Sequence, residues 1–239
     1  GVPSRIFGVG IQTPGVQESS KNAELASLEF LKRHIDLLAP GASLTDFQVV
    51  TNTLSNKMRV VGLKQFHQGL EVIGGQVHFR FKNNRLFVIG SEALPHITAP
   101  KAGHTNLSSD FYQTQAKRWL AHDFNATNLQ VEGLSAPKIL PFISVGGDTQ
   151  YFTVVETSIK SHQPLGQWKV YLDAASGDPI AREQQLMFYS AVVKVNAPDR
   201  WPGRGRIDYP AMYMTTEFPL GTETTDGNGI ITWGGEENT

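Results

Sequence analysis

The sequence predicts an α+β fold in which a helix followed by an antiparallel sheet occurs twice. Two observations indicate this class. Apolar residues recur at helical spacing in two segments, and each segment precedes several short runs rich in β-branched and aromatic residues. The strand runs follow one another without helices between them, unlike the alternation of a parallel βαβ fold. We therefore expect two helix-plus-curved-antiparallel-sheet subdomains and a β-rich C-terminal tail.

The first subdomain is expected at residues 21–98, after an extended arm at residues 1–20 that is rich in Gly and Pro and has no sustained period. Within residues 22–39, leucine and isoleucine side chains fall on one helical face, and Pro40 stops the run. The period then changes, and strands are predicted at 47–51, 57–66, 70–81 and 85–89. Short polar dipeptides separate them, which predicts an antiparallel meander against the helix.

The second subdomain is expected at residues 99–188, since residues 95–106 form a loop rich in Pro, Gly and His. Ser108 or Ser109 is suited to cap a helix that continues to about Asp123. Strands follow at 139–145, 150–158, 167–172 and 179–189. Residues 189–239 are expected to be a β-rich tail, either the start of a catalytic domain or a small β domain, with a hairpin turn at Asp226.

Composition excludes several classes of function. The 239 residues are 40% hydrophobic, enough for packed cores, and contain no cysteine, which excludes disulfides, thiolate metal sites and a Cys nucleophile. The chain has 21 basic and 22 acidic residues without a long block of either sign, so nucleic acid is not an expected partner. We also expect no transmembrane segment, because no sufficiently long apolar run is present.

Motifs for catalysis or metal binding are absent from the sequence. The seven histidines are scattered, and none forms the His-Glu-x-x-His pattern of zinc peptidases. No serine elbow or phosphate-binding loop is present either. An EF-hand at Asp226 is disfavoured because Ile231 takes the place of the required glycine. We therefore expect no catalytic residue, no metal and no cofactor in this chain, which is not expected to be an enzyme.

The most specific pattern lies in residues 51–92, TNTLSNKMRVVGLKQFHQGLEVIGGQVHFRFKNNRLFVIGSE, where the residues that matter are Gln65, His67, Gly69, Val72, Gly74, Gly75 and Gly90. This segment resembles the propeptide motif of fungalysin/thermolysin-type metallopeptidases. Gly69 would allow a tight reversal between two strands, and Gly74 with Gly75 a bulge in the second. Gln65 is expected either to hydrogen-bond across the reversal or to be exposed.

A second, weaker resemblance covers residues 108–188. Trp168 lies in a predicted strand that leads into Asp173 and Gly177, which is similar to the end of a PepSY-type module. Gly177 suits a left-handed turn position. In precursors of this type, a propeptide motif followed by a PepSY module is the usual order.

The two resemblances imply the prosegment of a secreted zinc metallopeptidase, whose signal peptide has been removed and which acts as an intramolecular chaperone and temporary inhibitor. The cognate catalytic domain would be its partner and would hold the zinc. Aromatic and arginine side chains dominate such interfaces, so the expected contacts are Arg80, Phe81, Phe87, Trp201, Tyr209, Tyr213 and Trp233. The alternatives are a free-standing exported protease inhibitor or cell-surface binding module with no attached peptidase, and an unrecognised hydrolase.

Overall fold

The computed structural model describes residues 2–98, 107–144, 146–162, 165–198, 205–218 and 221–235. The fold is α+β, as predicted. The helices within these ranges are α1 (Ser20–Arg33), α2 (Ile35–Leu38) and α3 (Ser109–Phe124). The strands there are β1 (Arg5–Gln12), β2 (Phe47–Ser55), β3 (Met58–His67), β4 (Leu70–Lys82), β5 (Arg85–Ser91), β6 (Gln130–Glu132), β7 (Lys138–Ile143), β8 (Thr149–His162), β9 (Leu165–Asp173), β10 (Pro179–Gln184), β11 (Met187–Val192), β12 (Lys194–Pro198), β13 (Arg206–Pro210), β14 (Thr215–Phe218), β15 (Gly221–Thr224) and β16 (Ile230–Gly235).

The chain folds into two compact units. The first comprises Gly1–Tyr112, Leu134–Glu156 and Tyr171–Ile180, and the second comprises Gln113–Gly133, Thr157–Val170 and Ala181–Thr239. The limits of these units differ from the predicted subdomain limits, because β8 and β9 each contribute residues to both.

The first unit contains the predicted meander, which we call the hairpin sheet: β2, β3, β4 and β5. Its strands pair antiparallel in the order β5-β4-β3-β2. Tight turns join them, with positive φ at both central residues: Asn56 and Lys57, Gln68 and Gly69, Asn83 and Asn84. Two such residues define a type I′ turn, whose twist matches that of the flanking strands. The predicted strand positions and turns are thus confirmed.

Helix α1 covers one face of the hairpin sheet and closes the core of the first unit. Phe79 and Phe81 on β4 are fully buried together with Leu31 of α1. Burying side chains of this size contributes about 1.5–3 kcal/mol each. The helix predicted over residues 22–39 begins at Ser20 and is divided at His34 into α1 and α2. At its start, the Ser19 hydroxyl accepts a hydrogen bond from the Asn22 amide at 3.2 Å.

The predicted apolar face of α1 is partly wrong. Leu25 is 56% exposed, whereas Ala23 and Ser27 are fully buried. Small side chains let the helix lie close to the sheet, and the Ser27 hydroxyl stays satisfied by donating to the Ala23 carbonyl oxygen at 2.8 Å. Leucine periodicity alone therefore predicts the helix correctly but places its buried face at the wrong angle around the helix axis.

The predicted extended arm contains a strand. β1 pairs antiparallel with β5, and the register shifts between Phe7 and Ile11. In the described part of the chain, β1 pairs with no strand other than β5 and forms an edge of the sheet. Its residues lack a clear period because this irregularity interrupts the alternation and because both faces of much of the strand are exposed.

The second unit contains most of α3, β6, parts of β8 and β9, and the tail. The predicted second helix is confirmed, and Ser108 caps it by accepting a hydrogen bond from the Phe111 amide at 3.2 Å. The single strand predicted at 179–189 is divided into β10 and β11. In the tail, three antiparallel pairs form separate two-stranded sheets: β11 with β16, β12 with β13, and β14 with β15.

Candidate binding surface

Gln65 forms a buried bridge from the hairpin sheet to the segment that follows it. The side chain is 1% exposed, donates from Nε2 to the Leu94 carbonyl oxygen at 3.0 Å, and accepts the Leu94 amide on Oε1 at 2.7 Å. We call this pair of bonds the Gln65–Leu94 bridge. The expectation of an exposed glutamine or of a bond across the β3–β4 turn is wrong, because both polar atoms bind a backbone far along the chain.

Two glycines of the motif shape the strand beside this bridge. Gly74 has φ +78°, and the β3–β4 register shifts here, so that residues between Glu71 and Gln76 bulge opposite Gln65. A Cβ on Gly75 would lie 2.8 Å from the Gln65 side-chain oxygen. Gly74 thus supplies the backbone conformation and Gly75 the space that the glutamine needs.

The bulge also changes the pairing of β4. Before it, Glu71 and Val72 pair in parallel with Lys138 and Ile139 of β7. Val72 is 2% exposed and packs with Ile139 in a small apolar cluster. His67, at the end of β3, is half-buried in the same region as Gln65 and Leu94. The motif residues around Gln65 are therefore gathered into one structural junction.

We call the side of the hairpin sheet that faces away from α1 the outer face. It is formed by alternate residues of β4 and by residues of the adjacent strands. Gln76, Arg80 and Lys82 are exposed there, while their sequence neighbours are buried. His78 lies over Gly90, where an added Cβ would come within 2.0 Å of the imidazole ring. This close approach explains why position 90 carries no side chain.

Burial and nearby charged groups determine the electrostatics around His78 on the outer face. Burial lowers the pKa of the His78 imidazole, Arg80 and Arg5 lower it further, and Glu92 acts in the opposite direction. The Nε2 atom of His78 is buried and has no hydrogen-bond partner within the described ranges. The neutral imidazole is therefore the form that this surface favours.

In the second unit, Trp168 belongs to an aromatic and cationic stack. Its ring lies over Phe124, with centroids 5.2 Å apart. The Arg182 guanidinium lies 4.4 Å from the Phe124 and Trp119 ring centroids and pairs with Asp123 at 2.6 Å. The predicted motif residue Trp168 thus packs inside its unit at 5% exposure.

Asp173 and Gly177 build a turn in the first unit. The Asp173 carboxylate accepts the amides of Ala175 and Ser176 at 2.8 and 2.9 Å. Gly177 has φ +77°, which confirms its left-handed position, and a Cβ there would come within 2.4 Å of the Phe111 ring. Both residues have structural roles that account for their positions.

The expected partner contacts lie in different environments. Phe81 is fully buried in the core, so its assignment as a surface contact is wrong: its inward-facing position in β4 places it beneath α1. Arg80 is exposed, Phe87 and Tyr209 are half-buried, and Tyr213 is 74% exposed. Trp201 lies outside the described residues. Trp233 lies on β16, where only its backbone is described. The contact role of the exposed residues stays a prediction.

Sequence reasoning missed three features of this region. Leu94 binds Gln65 through its backbone, which no side-chain pattern records. The outer face, which includes His78, was also missed, although the alternation of polar and apolar residues in β4 could have indicated it. The edge strand β1 exposes Phe7, Val9 and Ile11, and its signal was hidden by two glycines.

The described residues also bear on metal binding and on membrane insertion. No group of three or more His, Asp and Glu side chains among them is arranged to hold a metal ion. Among the described helices, none has the length and apolar character needed to cross a membrane. At Asp226 the carboxylate accepts the amides of Asn228 and Ile230, both at 2.8 Å, and so closes a turn.

Comparisons with known proteins give a distant structural neighbour. No known protein family matches the chain, and no curated protein matches it. Among solved structures, it is similar to the Bacillus megaterium YpeB C-terminal domain, with 12% sequence identity and a TM-score of 0.33 over 77% of this chain and 72% of that chain. This likeness carries no argument about function.

Proposed function

We propose that this chain is the prosegment of a secreted zinc metallopeptidase of the fungalysin/thermolysin type, and that it chaperones and temporarily inhibits the catalytic domain. The observation that carries the proposal is the hairpin sheet. The residues that resemble the propeptide motif are those that form its turn, its bulge and the Gln65–Leu94 bridge. The sheet they build leaves Gln76, Arg80 and Lys82 exposed on its outer face.

A rigid, open sheet face suits an inhibitor. Because α1 packs against the inner face of the hairpin sheet, strand positions are fixed before a partner arrives, and little ordering entropy is lost on binding. The outer face offers the Arg80 guanidinium and the alkyl stem of Lys82. Specific binding would require a total buried area of at least about 1,000 Å², so further surface must contribute.

The topology of the hairpin sheet also suits a chaperone. Its strands are consecutive in the sequence and are joined by two-residue turns, so their contacts are local. Local contacts form early because little loop-closure entropy opposes them. A prosegment that folds first provides a surface on which a slower-folding catalytic domain orders. Zinc would belong to that catalytic domain.

The test supplies this chain in trans to the cognate catalytic domain. We expect saturable inhibition of peptidase activity and faster recovery of activity when the denatured catalytic domain is refolded with the chain. Arg80→Glu should weaken inhibition about 3–10-fold, the size expected for an exposed interface charge. The matched control is Lys117→Glu, the same charge reversal on an exposed position of α3.

Absence of both binding and refolding assistance at micromolar concentration would overturn the prosegment proposal. Inhibition of unrelated secreted peptidases with no effect on refolding would instead support the free-standing inhibitor. Equal losses with Arg80→Glu and Lys117→Glu would show that the outer face is not the contact surface.

A further inference from the structure

Among the described residues, the edge strand β1 has no strand partner on the side away from β5, so some of its backbone hydrogen-bonding groups point away from the sheet. The Ser91 amide donates to the Ser4 carbonyl oxygen at 3.2 Å, and Ile6 pairs with Ile89. In antiparallel pairs, hydrogen-bonded positions alternate with positions whose N–H and C=O point away from the neighbour. Arg5 and Phe7 therefore direct their backbone groups away from β5. Such an edge is a template for another strand.

An apolar groove accompanies this edge. It has a volume of about 330 Å³ and is lined by residues of β1 and β5 and by Phe30 of α1. On β1 itself, Phe7 is 78% exposed, Val9 93% and Ile11 53%. Exposing large apolar side chains along one strand opposes solubility, and exposed patches of this kind mark interaction sites.

Cations stand at both ends of the edge. Arg5 begins β1 and is exposed, and Arg85 pairs with Gln12 at the other end, where its guanidinium also donates to the Val9 carbonyl oxygen at 3.4 Å. The spacing from Arg5 to Gln12 is at most about 23 Å in an extended strand. Carboxylates at the two ends of a bound segment would therefore face arginines.

We infer that β1 binds an extended peptide segment of about eight residues, in which alternating apolar side chains are flanked by a carboxylate at each end. The segment adds to the sheet as a strand through the outward backbone groups of Arg5 and Phe7, and its apolar side chains cover the groove. Main-chain bonds provide affinity, and the groove and arginines provide specificity. Charge disfavours a second copy of this chain as the occupant, because an antiparallel β1 pair would bring Arg5 towards the Arg85 of the other copy.

This inference goes beyond the proposed function, because it requires no peptidase. The probe is a fluorescent peptide, acetyl-Glu-Val-Thr-Val-Thr-Val-Thr-Glu-amide, titrated against the full chain by fluorescence anisotropy. We expect a dissociation constant on the order of 10–100 µM, since one strand buries less area than a stable protein complex does. In hydrogen exchange, the peptide should protect the Phe7 amide. A peptide with lysine at both ends should bind at least about fivefold more weakly.

The decisive variant is Phe7→Pro, which deletes an outward N–H while leaving the β1–β5 bonds intact, since edge strands accept proline at such positions. Its matched control is Phe7→Val, which removes the aromatic ring but keeps the N–H. We expect Phe7→Pro to bind at least about tenfold more weakly than Phe7→Val. Circular dichroism checks that the variants fold. A second variant is Val9→Lys, which should also weaken binding and changes a side chain that is exposed in the unbound protein.

Equal affinities for Phe7→Pro and Phe7→Val, or for the glutamate-ended and lysine-ended peptides, would overturn the inference. Sedimentation equilibrium tests the competing occupant: a dimer that Phe7→Pro abolishes would identify a second copy and also overturn it. Because no arm of this experiment contains the catalytic domain, its failure would leave the prosegment proposal standing, and the reverse also holds.

Discussion

The hairpin sheet and the tail are both built from short antiparallel strands, but different interactions hold them. In the hairpin sheet, β4 buries Val77, Phe79 and Phe81 at 0% exposure beneath α1. In the described part of the tail, the buried residues are Ala211, Thr225, Gly229 and Ile231. The tail exposes large apolar side chains instead, at Val192, Val195, Ile207, Met212, Tyr213, Met214 and Ile230.

This difference shows what a strand pattern needs to become a stable sheet. Alternation buries one row of side chains only when another element covers that row, and isolated two-stranded ribbons are marginally stable. The tail pairs are held mainly by backbone bonds and by turns such as that at Asp226. The hairpin sheet should therefore unfold with its unit as a whole, whereas the tail should open locally.

The largest expected effect comes from the core of the hairpin sheet. Phe79→Ala removes a fully buried ring that packs against Phe30 with centroids 6.2 Å apart. We expect the free energy of unfolding to fall by about 3–5 kcal/mol, through lost burial and the cavity left behind. Urea denaturation followed by circular dichroism measures this change.

The matched tail variant is Ile207→Ala, at a side chain that is 42% exposed. A substitution on such a surface should cost less than about 1 kcal/mol. Comparable losses at the two positions would show that Ile207 is covered in solution and that the tail has a core of its own. That result would remove the contrast between the two regions.

A smaller effect is expected from the polar bridges that each region contains. Gln65→Ala deletes both bonds to Leu94 in a buried environment and should lower the free energy of unfolding by about 2–3 kcal/mol. In the tail, the Thr225 hydroxyl donates to the Ala211 carbonyl oxygen and accepts the Met214 amide at 2.8 Å. Thr225→Val keeps the shape of this side chain and removes both bonds.

The two bridges should differ in how far their loss spreads. We expect Gln65→Ala to lower the urea midpoint of the hairpin sheet, and Thr225→Val to accelerate amide exchange only around residues 211–230. Hydrogen exchange followed by mass spectrometry resolves the two patterns. Faster exchange across β3 and β4 in Thr225→Val would mean that the regions unfold together.

The sequence predicted well where local chemistry decides the structure. The strands around Gly69 and the presence of the first helix follow from turn propensity and apolar period, both of which act over a few residues. The buried face of α1 was predicted wrongly because close packing selected Ala23 and Ser27 over Leu25. Propensity cannot show which side of a helix approaches a sheet most closely.

The candidate surface was less predictable because tertiary pairing creates it. Gln65 was recognised as a motif residue, but its partner is the backbone of Leu94, 29 residues away. Phe81 was assigned to an interface although its position in the alternation of β4 turns it inward. β1 was treated as an arm, since its irregular register hides the period of a strand. In each case the deciding neighbour is distant in the sequence.

The smallest expected effect is the loss of stability in acid. The contribution of His78 in the hairpin sheet should be lost at a higher pH than that of Asp226 in the tail. For His78, burial and then Arg80 and Arg5 lower the pKa from 6.5, while Glu92 raises it. Below about pH 6.5, the unfolded chain therefore binds more protons at this group than the folded chain does. The contribution of His78 to stability is present above that pH and is lost as pH falls through its lowered pKa.

The Asp226 carboxylate responds at lower pH. Hydrogen bonds from the Ile230 and Asn228 backbones lower its pKa from 3.8, so its contribution to stability is present above that value and is lost as pH falls through the lowered pKa.

Two variants test these pH ranges: His78→Phe keeps a ring over Gly90, and Asp226→Asn keeps an acceptor oxygen. Urea midpoints measured from pH 7 to 3 should show the parent chain falling more than His78→Phe just below pH 6.5. Amide exchange at Asn228 and Ile230 should become pH-independent near pH 3.8 only in Asp226→Asn, once the intrinsic exchange rate is divided out. Parallel midpoint curves for the parent and His78→Phe would mean that His78 is solvated in the folded chain, and the outer face would then carry no bias towards neutral imidazole.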